Sequence, residues 1–327
     1  MEARPAIRTS AAWFAPLQMQ RHRAGDALFR GATRFFALGV LVLLTAIIAG
    51  LAVGSMPAFR AFGFSFITSE AWNPVKDSFG ALPAIYGTLV TSLVAMVLGV
   101  PLAFGVAIFL TELCPPLLRR PIGVLIELLA AIPSIIYGIW GLFVLAPFLQ
   151  QTVQPALINT LGQIPLFGML FAGPPLGLGI LTAGIILAVM VLPFMASVIR
   201  DVFLTVPPML RESAYGMGAT TAEVIRDIVI PHSRVGIVGG IMLGLGRALG
   251  ETMAVTFVIG NAHRIKASLL APGTTISATL ANEFNEAVGD LYTSSLIALG
   301  LILFVITLIV LAAANYMLWR LSAREGA

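Results

Sequence analysis

A short stretch near residue 250 places an arginine and a glutamate inside an otherwise apolar run. Arg247 and Glu251 stand four residues apart in Gly-Arg-Ala-Leu-Gly-Glu-Thr-Met, so a continuous helix would carry both on one face. Charges within a membrane helix normally face a partner or a watery path. A guanidinium offers a planar fork of donors that suits an oxyanion, and a carboxylate can orient it. We therefore predict a substrate path at Arg247, Glu251 and Thr252, with a purely structural ion pair as the alternative.

The composition of the whole chain is that of a membrane protein. Of 327 residues, 58% are hydrophobic and 10% are charged, which excludes an ordinary soluble domain. Six apolar runs reach the roughly 20 residues that one bilayer crossing needs. We predict an all-α integral membrane protein with an N-terminal segment at 1–34, a six-span domain at 35–318 and a tail at 319–327. The predicted spans are about 35–54, 84–110, 122–146, 176–199, 235–260 and 293–318.

Two segments outside these spans are predicted to have structure of their own. Asp26 precedes Ala-Leu-Phe and is predicted to cap a short amphipathic helix on the inner membrane surface. Residues 147–175 hold no charge but several prolines, which argues against a continuous spanning helix. We predict a folded, partly re-entrant outer segment there.

The distribution of positive charge predicts the orientation. Most of the 19 Lys and Arg residues fall in the N-terminal tail, in the loops after the second and fourth spans, and in the C-terminal tail. Positive residues near span ends are retained on the cytoplasmic side. Both termini are therefore predicted to be cytoplasmic.

The remaining polar residues give weaker signals. Hydroxyl side chains within spans usually bond to their own backbone or to a neighbour. The polar group at the outer end of the fifth span is predicted to be a solvated loop, with contact to an anion or to a partner protein as the alternative. One cysteine and three histidines assemble no catalytic set, no metal site is predicted, and the chain has no Gly-rich phosphate loop for ATP. The residues concerned are Thr88, Thr91 and Ser134 in the spans, and Asn261, His263, Arg264 and Lys266 outside them.

The only long loop on the predicted cytoplasmic side, residues 200–234, is typical of two short helices. Pro207-Pro208 opens the first helix, and glycines at 216 and 218 close it. Thr220 and Glu223 form a capping box for the second helix, which Pro231 is predicted to end. Taken alone, this is either an ordinary connection or a docking element.

Several motifs carry a resemblance to a known family. Glu212-Ser213-Ala214, Gly218, Ile228 and Pro231 resemble the signature loop of ABC importer permeases, in which Glu-Ala-Ala precedes Gly and then Ile-x-Leu-Pro. Ser213 and Ile230 depart from it conservatively. Residues 246–255, 132–141 and 72–88 are similar to the phosphate-specific branch of that family. The resemblance covers nearly the whole chain from about residue 26.

The resemblance implies a type I ABC importer permease fold and phosphate import across the bacterial plasma (inner) membrane. It implies a PstA-like second permease subunit, two PstB-like ATPase subunits and an outer PstS-like phosphate-binding protein. This chain would bind no cofactor and would not be an enzyme, because ATP and Mg belong to the ATPase. The implied ATPase-coupling residues are Arg211, Glu212, Ser213, Ala214, Gly216, Gly218 and Pro231.

Two other functions remain as alternatives. An ABC permease for another oxyanion or an amino acid would keep the coupling loop but change the charges of the fifth span; Arg247 favours an anion. An ion-coupled secondary carrier working alone would need acidic or histidine relays in several spans. Among the acidic residues, only Glu127 and Glu251 fall within predicted spans.

Overall fold

The computed structural model describes residues 15–165 and 168–323, with side chains over 25–165 and 168–320. The predictions for residues 1–14 and 324–327 lie outside this part of the chain. Contacts divide the chain into two compact units, and the division falls between Val53 and Gly54. The second unit holds the residues discussed below as candidate sites.

The described chain is mainly helical. A small antiparallel hairpin, β1 (Trp72–Asn73) and β2 (Ser78–Phe79), follows the second helix. Turns of π-helix occupy Phe109–Leu113, Gly141–Leu145, Leu149–Val153 and Ile225–Val229, and 3-10 turns occupy Pro74–Lys76, Leu161–Gln163 and Gly168–Phe171. The helices are α1 (Ala15–Phe62), α2 (Ser65–Thr68), α3 (Leu82–Ile108), α4 (Pro116–Ala130), α5 (Ser134–Trp140), α6 (Ala146–Phe148), α7 (Gln154–Thr160), α8 (Ile180–Leu204), α9 (Pro208–Gly216), α10 (Thr221–Val224), α11 (Ile230–Gly250), α12 (Met253–Thr256), α13 (Ile276–Glu283) and α14 (Asp290–Ala323).

Within the described ranges, six helical stretches are long and apolar enough to cross a membrane. This number confirms the prediction of six spans, although several boundaries differ. The spans, first to sixth, are Gly25–Phe62, Leu82–Leu113, Ser134–Gln163, Ile180–Leu204, Thr221–Gly250 and Asp290–Arg320.

The fourth span, α8, forms the centre of the core. In its most apolar stretch 67% of the residues are buried, against 28% or less in the other five spans. Small residues let α3 pack closely on it: a Cβ on Gly184 would lie 2.5 Å from Val94 Cγ1, and one on Gly99 would lie 3.1 Å from Met195 Cε. The span begins at Ile180 and not at the predicted 176, because Gly177 and Gly179 adopt positive φ angles that end helical backbone.

The third span differs most from its prediction. The predicted run 122–146 is broken at Ala131, so α4 stands apart from the span, which continues through Gln163. The predicted re-entrant segment is therefore wrong for 147–163. Pro147 and Pro155 each fall within the first two positions of a short helix that follows a π-helical turn. A proline near a helix start loses no helical hydrogen bond, and this allows helical turns to continue past both prolines.

Three further predictions about helix ends are wrong. Asp26 lies inside α1, a single helix, and caps no separate surface helix. The fifth span begins at Thr221 and ends at Gly250, whereas 235–260 was predicted. Pro231 does not end a helix, since it is the second residue of α11, directly after a π-helical turn. At that position a missing N–H is tolerated.

Candidate substrate path and coupling elements

The fifth span is interrupted at the predicted substrate residues. Helix α11 ends at Gly250, and Glu251 has an extended backbone (ψ 130°). Helix α12 then begins at Met253, with Thr252 as its N-cap residue. The Glu251 carboxylate accepts a hydrogen bond from the Ala254 N–H (3.2 Å). The carboxylate therefore caps the next helical turn instead of lying one turn above Arg247 on a continuous helix.

Arg247 lies in the last turn of α11, where a positive charge suits the helix dipole. Its guanidinium carbon lies 5.9 Å from the ring centroid of Phe194 in α8, a cation–π distance. Among the ion pairs of residues 25–165 and 168–320, none joins Arg247 to Glu251, so the predicted pair is not formed. The break at Glu251 is the physical reason, because it removes the helical spacing on which the pair depended.

The surface around this break is open on one side. Arg247, Glu251 and Thr252 are partly exposed, and Gly250 is exposed with open space at its Cβ position. On the other side, Gly244 packs against Met195 of α8. The three predicted path residues thus lie together beside the interruption, on a partly exposed face of the described chain.

The third span packs against the interrupted segment of the fifth span. A Cβ on Gly138 would lie 2.8 Å from Phe257 Cδ2 and 3.1 Å from Ala254 Cα. A Cβ on Gly141 would overlap Ile186 of α8. The glycines of the 132–141 motif therefore allow α5 to contact α12 closely and the turn after α5 to contact α8.

The loop before the fifth span contains the first predicted helix, and the second predicted helix forms the start of the span itself. Helix α9 covers Pro208–Gly216, and Gly218 adopts φ +90°, which favours glycine. The capping box is confirmed: the Thr220 hydroxyl accepts from the Glu223 N–H, and the Glu223 carboxylate accepts from the Thr220 N–H (2.7 Å). Gly218 turns the chain sharply after α9, and the capping box fixes where α10 begins. A short helix with such a defined end is suited to docking.

Helix α9 has an outward and an inward face. Its outward face exposes Glu212, Ser213 and Gly216 among the predicted coupling residues, together with Met209 and, just beyond the helix, Met217. Ala214, also a predicted coupling residue, is buried on the inward face against the core. The residues named for one role are thus divided between two surfaces.

Arg211, another predicted coupling residue, is on the inward face of α9. Its Nη1 lies 3.1 Å from Oε1 of Glu112, and its Nη2 donates to the carbonyl of Phe203 (2.6 Å). Arg211 and Ala214 are three residues apart and therefore share one side of the helix. Sequence reasoning missed Glu112, because the two residues are far apart in the chain.

On the predicted outer side, Glu283 accepts hydrogen bonds from three side chains of separate segments. They are the Nε1–H of Trp72 (2.8 Å), the hydroxyl of Tyr292 (2.7 Å) and Nε2 of His263 (2.7 Å). The rings of Trp72 and His263 stack at 4.9 Å. His263 is therefore part of a packed cluster, and its prediction as a solvated loop residue is wrong.

The same carboxyl group has a shifted pKa. Burial alone would raise the pKa of Glu283, but the hydrogen bonds from His263, Tyr292 and Trp72 outweigh it and hold the pKa below its ordinary value. The ionised form therefore prevails in the cluster, and His263 donates its Nε2–H.

Other polar groups have structural partners. The Thr88 and Thr91 hydroxyls donate to carbonyls one turn back, as predicted. Arg200 pairs with Glu127 (2.8 Å), a carboxylate that the carrier alternative would need for a relay. These two residues line a cavity of about 330 Å³ that also holds Arg119 and Arg120.

Comparison with known proteins identifies the family. Residues 99–322 match the model of the family described as binding-protein-dependent transport system inner membrane component. The phosphate transport system permease protein PstC of Mesorhizobium japonicum is 64% identical over 326 residues, covering 100% of this chain and 98% of that protein. The PstC of Pasteurella multocida is 55% identical, covering 93% of this chain and 95% of that protein.

A solved structure agrees on the fold. The bacterial alginate ABC transporter, in complex with its alginate-bound periplasmic protein, contains a chain that superposes with a TM-score of 0.58 at 19% identity. The match covers 91% of this chain and 96% of that one. At this identity the likeness shows the fold alone, which is that of ABC importer permeases. The chain therefore belongs to the binding-protein-dependent transport system inner membrane components and, within them, to the PstC permeases.

Proposed function

We propose that this chain is the permease subunit that imports inorganic phosphate, driven by ATP hydrolysis on a separate subunit. Its relatives at 64% and 55% identity are named as phosphate transport permeases, and coverage of nearly the whole chain supports the same substrate. The site adds a chemical reason, since an arginine within a span suits an anion. No comparable observation favours either alternative, the permease for another substrate or the ion-coupled carrier.

The proposed partners follow from this function. A PstA-like permease would complete the membrane portion, two PstB-like subunits would supply ATP hydrolysis with Mg, and a PstS-like protein would deliver phosphate from outside. The chain itself would bind no cofactor or metal. The positive-charge distribution supports cytoplasmic termini, and with this orientation α9 would lie on the side of the ATPase.

The observation that carries the substrate proposal is the guanidinium of Arg247 beside an interrupted helix. Within the described part of the chain it forms no ion pair, and its side chain is partly exposed. Interrupted membrane helices leave backbone polar groups free to line a substrate cavity. Arg247 would bind the phosphate oxygens, while Thr252 would offer a hydroxyl at the start of α12.

Glu251 would tune this site and would not bind the anion directly. Its carboxylate fixes the start of α12 through the Ala254 N–H. A negative charge near the path also weakens anion binding, and transport needs release as well as capture. In the proposed cycle, movement of α9 with the ATPase switches the path between inward-facing and outward-facing states.

The test is ATP-dependent uptake of labelled phosphate into vesicles that hold the whole complex. Arg247→Gln is expected to lower uptake roughly 10- to 100-fold at matched protein level, because a hydrogen bond to a charged group contributes about 1.5–3 kcal/mol. Arg247→Lys keeps the charge but loses the planar fork of donors, so its phosphate uptake should lie between that of Arg247→Gln and that of the parent.

Assembly and binding-protein docking serve as controls for this experiment. Loss of uptake with both intact places Arg247 on the anion path. If the assembled Arg247→Gln variant took up phosphate as fast as the parent, the role of Arg247 would be structural. The chemical support for phosphate as the substrate would then be lost. If the parent complex took up labelled sulfate and not labelled phosphate, the substrate would be another oxyanion.

A further inference from the structure

The inward face of α9 is attached to two membrane spans through one side chain. Arg211 contacts Glu112, in the π-helical turn that ends the second span, and the carbonyl of Phe203, in the last turn of the fourth span. That carbonyl is among the last four of α8, which lack a partner within the helix. One guanidinium thus links the coupling helix to the ends of both spans.

The burial of this contact makes the loss of either partner more costly than in an ordinary surface ion pair. The Glu112 side chain is 6% exposed and that of Arg211 is 18% exposed. Exposed ion pairs contribute little, whereas removing one partner of a buried pair leaves a charge without compensation. A second pair, Arg226 with Asp227 near the start of the fifth span, has an N–O distance of 3.8 Å and is largely exposed. It provides an internal comparison.

The two spans that Arg211 reaches are also packed on each other. Gly99 and Gly184 allow α3 and α8 to approach closely, and Phe104 contacts Phe203 edge to face at 5.6 Å between ring centroids. Phe203 is fully buried. A displacement of α9 that is carried through Arg211 therefore acts on the tightly packed centre of the unit and not on a peripheral helix.

From these contacts we infer that the Glu112–Arg211 ion pair is the mechanical link that transmits movement of the coupling helix to the second and fourth spans. Glu112 and Arg211 are thus positioning residues for transport and do not contact phosphate or ATP. The inference rests on the proposed function. It deepens that function by naming how ATP hydrolysis on a partner is converted into a change of the path.

The experiment measures phosphate imported per ATP hydrolysed by the complete complex in vesicles. Glu112→Gln and Arg211→Gln should each lower this ratio about tenfold, within the range typical of coupling between linked sites, while the ATPase subunits still co-purify. Arg226→Gln removes the same charge from the exposed start of the fifth span and should keep the parental ratio.

The double variant Glu112→Gln with Arg211→Gln separates transmission from stability. It leaves no unpaired buried charge, so its thermal midpoint should lie above those of the single variants. Its ratio should remain as low as theirs, because the link is still missing. A ratio that recovers together with the midpoint would overturn the inference, as would a parental ratio in the assembled single variants.

A shortened side chain keeps the test informative if the single Gln variants fail to assemble. Glu112→Asp retains the charge and therefore compensates Arg211, but it cannot span the same gap. We expect it to assemble with a lowered ratio, and a parental ratio in Glu112→Asp would again contradict the inference. Absence of phosphate uptake by the parent complex would instead refute the proposed function itself.

Discussion

At the scale of single residues, Glu283 shows how one carboxylate can join distant parts of an outer surface. Trp72 follows the first span, His263 follows the fifth, and Tyr292 begins the sixth, yet all three donate to it. Such a buried acceptor favours its ionised form, and its net effect depends on keeping every donor in place. The cluster therefore makes the outer ends of three spans depend on one titratable group.

Glu283→Gln is expected to lower the thermal midpoint of the purified complex by an amount that depends on pH. A lowered pKa in the folded state stabilises the protein above the ordinary carboxyl pKa of about 4.3. That contribution is lost as pH falls through the lowered pKa. The difference between parent and variant midpoints should thus be largest at neutral pH and shrink below about pH 4.3.

Thr293→Ala is a suitable control, since the hydroxyl of the partly exposed Thr293 donates only to the carbonyl of Gly289, four residues earlier. Its midpoint should follow the parent at every pH. A parent–Gln difference that stays constant down to acid pH would mean that ionisation of Glu283 is not the source of its effect.

Residue-level prediction from the sequence succeeded where contacts are local. The Thr220–Glu223 capping box and the backbone-bonded hydroxyls of Thr88 and Thr91 were predicted correctly, because their partners lie within four residues. The contact of Arg211 with Glu112 was missed, because the two residues are far apart in the chain. The local pattern cannot show which side of a short helix faces the membrane core.

At the scale of helices, the fifth span owes its shape to a break that the sequence indicates only weakly. Gly250 stands at the end of α11, and Thr252 at the start of α12. Glycine after a helix and threonine before one are ordinary end signals. Because both residues lie in an apolar run, these end signals were set aside in favour of one continuous crossing.

The close contact behind this break gives an element-scale prediction. Gly138→Ala would place a methyl group 2.8 Å from Phe257 and 3.2 Å from the Met253 carbonyl. The third span and α12 would have to separate, which typically costs about 1–3 kcal/mol. We expect a lower thermal midpoint and reduced phosphate uptake in the assembled complex.

Gly239→Ala is the matched control, because open space surrounds that position of α11. Alanine there should be neutral or slightly stabilising, since it forms helices better than glycine. Equal effects of the two substitutions would show that the contact between α5 and α12 is not what requires glycine at 138.

The third span illustrates why helix boundaries were harder to predict than helix number. Apolar length alone determined the number of crossings, and six was correct. The prolines at 147 and 155 were read as breaks, but π-helical turns precede the short helices that contain them. Such turns depend on hydrogen bonding of the folded chain and leave no simple sequence pattern.

At the scale of the whole molecule, the chain exposes apolar side chains on both predicted sides of the membrane. Met217, beside the coupling helix, is 84% exposed, and Val75, beside the β1–β2 hairpin, is 94% exposed. Loops facing water seldom require such residues, and exposed apolar groups beside a polar rim commonly mark protein contacts. The proposed topology assigns Met217 to the ATPase side and Val75 to the outside.

Met217→Asp is therefore expected to lose the ATPase subunits, whereas Val75→Asp keeps them. An aspartate on the docking face would be buried without a partner, which weakens binding by about 2 kcal/mol or more. Co-purification of the ATPase with tagged permease measures the loss, and Glu212→Lys on the same exposed face should weaken it too. If Val75→Asp released the ATPase and Met217→Asp did not, the cytoplasmic side would be the opposite one, and α9 could not be the coupling helix.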